Sequence, residues 1–116
     1  MERIDEWVEE IKKSRKFIIV EGKKDLKALR DIGITNKIET LHGKPLYKVA
    51  EDAAGHKEII ILTDLDKEGK KLYGRLSSYL QSHGCEIDNK LREFLLKKTK
   101  LRQIEGIKTY SERETG

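Results

Sequence analysis

A short apolar run, Ile59-Ile60-Ile61-Leu62, breaks off into Thr63-Asp64-Leu65-Asp66-Lys67-Glu68-Gly69. Three carboxylates at alternating positions repel one another unless a positive charge sits among them. Oxygen-only ligands favour magnesium, manganese or calcium in that place. The chemistry this spacing suits is therefore a divalent-metal site at Asp64, Asp66 and Glu68. Glu68 is its weakest member, because an acid in a first helical turn needs no ligand to explain it. Another acid, Glu21, ends a second apolar run, Phe17-Ile18-Ile19-Val20, and is followed by Gly22. Glycine there lets the backbone turn sharply or approach a ligand closely. Lys67, Lys70, Lys71 and Arg75 cluster just after the tip. Positive side chains at a helix start oppose the macrodipole. That mismatch suits an anionic ligand, with a solvated face as the rival reading.

The elements that must position these residues follow from periodicity. Apolar, β-branched runs at 17–20 and 58–62 read as buried strands. Their acids then lie at the carboxyl ends, the edge where open α/β sheets bind ligands. Ile4, Trp7, Val8 and Ile11 fall at i, i+3, i+4 and i+7, a helix with one apolar stripe and Trp7 as a core anchor. A second helix carries Leu26, Leu29 and Ile32 and stops at Gly33; Asp25 reads as a cap at its start, with a site role as the alternative. Lys37 to Leu41 is a shorter strand closed by His42-Gly43; His42 reads as a surface or packing residue, with substrate contact at the strand end as the alternative. Pro45 opens a helix bearing Leu46, Val49, Ala50 and Ala53. From Gly69 a long helix carries Leu72, Leu76 and Leu80, with Tyr73 and Tyr79 as packing residues, and ends at Gly84. Cys85 to Ile87 is a fourth short strand, and Leu91, Phe94 and Leu95 mark a further helix. Lys97, Lys98, Lys100 and Arg102 form the densest basic run, read as solvated surface ahead of phosphate binding. Alternating strands and helices imply a parallel sheet of about four strands with right-handed crossovers. If the first and third strands are neighbours, the chain reverses direction between them, and Glu21 faces Asp64 and Asp66 across that switch point.

The chain has 116 residues, enough for one modest core. The expected organisation is one domain over 1–107, its motif core at 17–84, and a flexible tail over 108–116. Charged residues make up 40% and hydrophobic residues 36%. The apolar residues come in ordered clusters, which argues against disorder. A net charge of +4 permits nucleic-acid binding without demanding it. The single cysteine, Cys85, excludes an internal disulfide and fits a reducing cytoplasm. No apolar run approaches a membrane span. No Gly-x-x-x-x-Gly-Lys-Ser/Thr occurs, so a P-loop NTPase is excluded.

The two motifs together, Phe17-Ile-Ile-Val-Glu-Gly-Lys-Lys-Asp25 and Ile60-Ile-Leu-Thr-Asp-Leu-Asp-Lys-Glu-Gly69, resemble the Toprim family. The likeness covers about Phe17 to Gly84. It is similar to the Toprim domains of type IA topoisomerases, primases and ribonucleases that mature 5S ribosomal RNA. The segment Ile87-Asp88-Asn89-Lys90-Leu91-Arg92 resembles small stand-alone Toprim proteins. The resemblance implies an α/β, three-layer, Rossmann-like fold. It implies Glu21 as general acid or base, magnesium (manganese as the alternative) on Asp64 and Asp66, and Glu68 as a third or water-mediated ligand. Lys23, Lys67, Lys70 and Lys71 are the candidates for substrate phosphate. No tyrosine-nucleophile motif and no zinc-binding cysteine set accompanies the motifs, so a topoisomerase or complete primase is not expected from this chain. The expected function is magnesium-dependent nuclease or related phosphotransfer chemistry on RNA or DNA. The alternative is a non-catalytic nucleic-acid-binding or assembly module acting with a protein partner. A phosphohydrolase of the haloacid-dehalogenase type also places Asp-x-Asp after a strand, but gives Glu21-Gly22 no role.

Overall fold

The computed structural model describes residues 1–115. Four strands, β1 (Phe17–Val20), β2 (Ile38–Thr40), β3 (Glu58–Leu62) and β4 (Glu86–Ile87), form one sheet in the order β2-β1-β3-β4. All three pairings are parallel. Among the described residues six helices accompany the sheet: α1 (Ile4–Ser14), α2 (Lys23–Asp31), α3 (Leu46–Ala53), α4 (Lys67–Ser82), α5 (Lys90–Lys98) and α6 (Ile107–Thr115). A 3₁₀ turn at Ile104–Gly106 leads into α6.

The central strands are buried on both faces, which is why they read as unbroken apolar runs. Their alternate residues feed two cores. Ile18, Val20, Ile60 and Leu62 pack with Ile4, Trp7, Leu29, Leu95 and Ile107, the layer of α1, α2, α5 and α6. Phe17, Ile19, Ile59 and Ile61 pack with Val49, Ala53, Leu76 and Leu80, the layer of α3 and α4. The result is a three-layer α/β fold. Burying each large aliphatic side chain contributes about 1.5–3 kcal/mol, so these two layers hold the sheet rigid beneath its carboxyl edge. Trp7 is wholly buried, as an anchor should be, and its indole N–H donates to the Leu91 carbonyl at 2.8 Å, joining α1 to α5.

The register decides where the acids emerge. Phe17 aligns with Ile59 and Val20 with Leu62, so β1 and β3 end level. They are neighbours at the centre, and the chain leaves β1 toward β2 on one side and β3 toward β4 on the other. That is the expected switch point.

The second and fourth strands are shorter than the sequence reading has them, Ile38–Thr40 and Glu86–Ile87, and two helices differ from it more. Helix α4 begins at Lys67, two residues early, because the Asp66 carboxylate accepts from the Gly69 N–H at 2.8 Å and caps it. The segment expected to trail from Lys108 instead forms α6. Ile107 is buried, Tyr110 packs on the core, and the Glu114 carboxylate accepts from the Ile4 N–H at 2.8 Å. A few contacts, made to the far end of the chain, outweigh its low apolar content. Gly116 lies outside the described residues. Tyr73 packs against the core as expected, whereas Tyr79 is 41% exposed.

Candidate functional site

Glu21 leaves the end of β1 and Asp64 follows β3 by two residues. Because the strands end level, the Glu21 carboxylate reaches across and accepts from the Asp64 N–H at 2.6 Å. Asp64 accepts from the Ile104 N–H at 2.9 Å through Oδ1, and Asp66 caps α4 through Oδ1. Each of the three acids thus engages one oxygen with a backbone N–H. The second oxygen of each makes no hydrogen bond among the described residues.

The surroundings push Glu21 and Asp64 upward. Burial raises Glu21 most, and Asp64 and Asp66 add to it, against the Asp64 N–H and Arg92. Burial likewise raises Asp64, with Asp66 and Glu105 adding to it and the Ile104 N–H opposing. Asp25 is pushed up to about 6 by burial first, then by Asp64, Glu21 and Glu105. Its carboxylate accepts from the Gly22 N–H at 3.0 Å, so it caps α2 while bordering the acidic cluster. A cavity of about 410 Å³ is lined by Glu21, Lys23, Asp25, His42, Asp64 and Glu105 among others.

Beneath the tip lies Arg92, buried at 3% exposure. Its guanidinium donates to the carbonyls of Thr63 and Asp64, the latter at 2.9 Å, and rests over the Tyr73 ring at 4.8 Å. It brings a fixed positive charge under the carboxylates and satisfies the carbonyls of the turn that bears them. From above, residues 99–106 cross the tip. The Leu65 N–H donates to the Arg102 carbonyl at 2.8 Å, and the Ile104 N–H holds the Asp64 carboxylate. Gly69 completes the turn. A Cβ there would lie 1.8 Å from the Asp64 carbonyl oxygen, so only glycine lets α4 approach the tip so closely.

The structure therefore gathers Glu21, Asp64 and Asp66 and sets Lys23 at the cavity rim. It does not gather Glu68, whose side chain is 78% exposed and pairs with Lys71 at 3.6 Å. Lys67, Lys70 and Lys71 lie exposed on the first turns of α4. Sequence reasoning missed Glu105 and the residues that strap the tip, and gave Arg92 no role. Arg92 comes from a segment whose only signal was resemblance to stand-alone relatives, and nothing in the local pattern marks Glu105.

Hard oxygen donors suit magnesium, which keeps several waters and takes only one or two carboxylates plus substrate phosphate. Asp64 and Asp66 fit that requirement. Among the described residues no group of three or more His, Cys, Asp or Glu side chains could cage a metal by itself. No helix is long and apolar enough to cross a membrane among those residues.

Comparison with known proteins agrees with this geometry. The Toprim domain matches residues 15–89. A UPF0292 protein from Pyrococcus abyssi is 42% identical over 100 residues, covering 84% of this chain and 75% of that protein. A UPF0292 protein from Methanocaldococcus jannaschii is 30% identical over 115 residues, covering 94% of this chain and 90% of its own. A solved structure of a protein from Aquifex aeolicus superposes with a TM-score of 0.82 at 35% identity, covering 90% of this chain and 98% of that one. The Glu-Gly and Asp-x-Asp strand ends both fall inside the matched span, and the sheet brings them together: the chain belongs to the Toprim domain family.

Proposed function

We propose that this protein performs magnesium-dependent phosphodiester chemistry on RNA or DNA, as a nuclease or related phosphotransferase. The observation that carries the reading is the meeting of Glu21 with Asp64 at 2.6 Å across the switch point, with Asp66 close enough to raise Glu21. Family membership supports a metal-dependent role connected with nucleic acid. Asp64 and Asp66 would hold magnesium, or manganese, through the oxygens not spent on backbone N–H groups. Such an ion polarises a phosphoryl oxygen and offsets charge developing on it. Glu21 is the acid placed to hold or release a proton beside it. Its upward shift moves it toward the range where a carboxyl can do either near neutral pH. Lys23 lies at the rim of the same cavity, within the approach of an incoming phosphate. The lone thiol, Cys85, is buried and suits a reducing cytoplasm.

The test is incubation of purified protein with structured RNA and with single-stranded DNA, in magnesium and then in EDTA. Cleavage should require magnesium and disappear in Glu21→Gln and in Asp64→Asn. Cleavage surviving both substitutions would sink the proposal.

A second reading is a non-catalytic nucleic-acid-binding module working with a partner protein. One observation favours it: every acid at the tip already serves a backbone N–H, and the third acid of the motif, Glu68, faces solvent. Salt-dependent binding that survives Asp64→Asn, with no turnover by the wild type, would support this reading over the first.

A further inference from the structure

A second cavity beside the acidic tip, about 1030 Å³, is more spacious than the one of about 410 Å³ that holds Glu21 and Asp64. It opens beside Asp66 and runs between the end of α5, the strap at 99–103 and α6. Most of its lining lies beyond residue 89, outside the residues that the Toprim domain matches.

Its charge is one-sided. Five cations line it, Lys97, Lys98, Lys100, Arg102 and Arg113, against the carboxylates of Asp66 and Glu114. Glu114 is engaged by the Ile4 N–H and lies beside Arg3. Lys97 and Lys98 pair with Glu93 and Glu2 at 3.5 and 3.8 Å. Lys100, Arg102 and Arg113 make no ion pair among the described residues, and all three are exposed. Three uncompensated cations around one concavity repel each other, and an anion relieves that repulsion.

The wall that carries two of them is built, not loose. Thr99 donates its hydroxyl to the Leu95 carbonyl at 2.6 Å and accepts from the Leu101 N–H at 3.1 Å. The Arg102 carbonyl is tied to Leu65, inside the acidic tip itself. The backbone that bears Lys100 and Arg102 is thus fixed relative to the acidic tip. Tyr110 adds an aromatic side chain to the lining while packing against the core. A cationic track with an aromatic face is the chemistry that receives a single strand. The cavity is also at the top of the ~300–1,000 Å³ range that encloses a small ligand. A flexible single strand can follow such a concavity, whereas a duplex holds its phosphates on a rigid rod.

We propose that the cavity between α5, the 99–103 strap and α6 binds single-stranded nucleic acid through its phosphates and leads it to Asp66. The identity of the occupant rests on the reading of the tip as phosphodiester chemistry, so the test runs without metal and the two can fail separately. An oligonucleotide of about 12 nucleotides, within the roughly 4–16 that one small single-strand-binding fold covers, is titrated in EDTA by fluorescence anisotropy, as single strand and as blunt duplex. The groove variant is Lys100→Gln/Arg102→Gln/Arg113→Gln. The control, Lys13→Gln/Lys37→Gln/Lys57→Gln, removes equal charge from exposed positions beside the opposite ends of the strands. Matching thermal midpoints and circular dichroism establish that both variants fold.

The groove variant should lose single-strand affinity by at least about tenfold and flatten the salt slope by about 2, as three lost contacts at roughly 0.7 each require. The control should change affinity by less than about threefold at the same salt, and the duplex should bind more weakly than the single strand. Equal losses in the two variants, tighter binding of the duplex, or no binding by the wild type at low salt would overturn the inference. Wild type that binds strand but never cuts it in magnesium defeats the proposed catalysis and leaves the groove standing. Cutting by wild type, with full binding by the groove variant, defeats the groove alone.

Discussion

Asp25 titrates at about 6 instead of 3.8 because it is buried and faces Asp64, Glu21 and Glu105. Its folded form therefore holds a proton more tightly than its unfolded form. The resulting destabilisation is complete above about pH 6 and is relieved as pH falls toward 3.8. Glu21 and Asp64 move in the same direction and add to the effect. In metal-free buffer, unfolding free energy from urea titrations should rise as pH is lowered from neutral toward the Asp25 value and below. A tenfold change in proton affinity between the folded and unfolded chain corresponds to about 1.4 kcal/mol, so Asp25 contributes at most about 3 kcal/mol. Asp25→Asn keeps an acceptor for the Gly22 N–H and should blunt the rise; an undiminished rise would place its origin elsewhere. Arg92 works the other way. Arg92→Met leaves the Thr63 and Asp64 carbonyls unpaired and strips the acids of their nearest fixed positive charge. Roughly 2–6 kcal/mol of destabilisation should follow, from about one to three for each of the two carbonyls left unsatisfied; a variant as stable as wild type at neutral pH would refute that role. Legibility at this scale tracks chain proximity. Glu21 and Asp64 stand out because an apolar run stops dead at each. Arg92 and Glu105 act from 28 and more residues downstream, and their place depends on how α5 and the strap fold back.

Helix α4 shows how an element can be made to serve the tip. Its first turn lies so close to Asp64 that a methyl group on Gly69 would collide with backbone, which has no flexible end to yield. Gly74 sits in the same helix, exposed, with nothing within 4 Å of an added Cβ. Two alanine substitutions in one helix should therefore have opposite signs. Gly74→Ala should stabilise by about 0.5–1 kcal/mol, the ordinary helix penalty of glycine. Gly69→Ala should destabilise by about 1–3 kcal/mol, the usual range for forced overpacking, and impair whatever Asp64 binds. Chemical denaturation of both measures the pair; equal signs would refute the close approach. The strands were the most legible elements, because a run buried on both faces has no polar alternation to misread. The C-terminal helix was the least. Ile107 and Tyr110 are one helical turn apart, but the charged and polar residues around them hide that stripe. What secures α6 is packing against α2 and α1, both far away in the chain, with the Ile4 N–H bonded to Glu114.

Across the whole molecule, the sheet order puts two strand ends level and the C-terminal segment closes over them. This assembly exists only in the folded state, so any ion it binds must stabilise folding. Magnesium should bind the native form through Asp64 and Asp66 and leave the unfolded chain, where those residues no longer meet Glu21, essentially alone. Linkage then gives about 2.7 kcal/mol at a hundredfold excess over the dissociation constant. A domain of this size should gain several degrees in thermal midpoint, reversed by EDTA, because about 1 kcal/mol moves it by a few degrees. Two substitutions divide the acids. Asp64→Asn or Asp66→Asn should abolish the magnesium-dependent increment measured against sodium chloride of equal ionic strength. Glu68→Gln should keep it, since that side chain is 78% exposed and turned to Lys71. If Glu68→Gln removes the increment instead, the tip must reorganise around the ion. If no substitution among the three does, the ion binds elsewhere, and the convergence of β1 and β3 would serve stability alone.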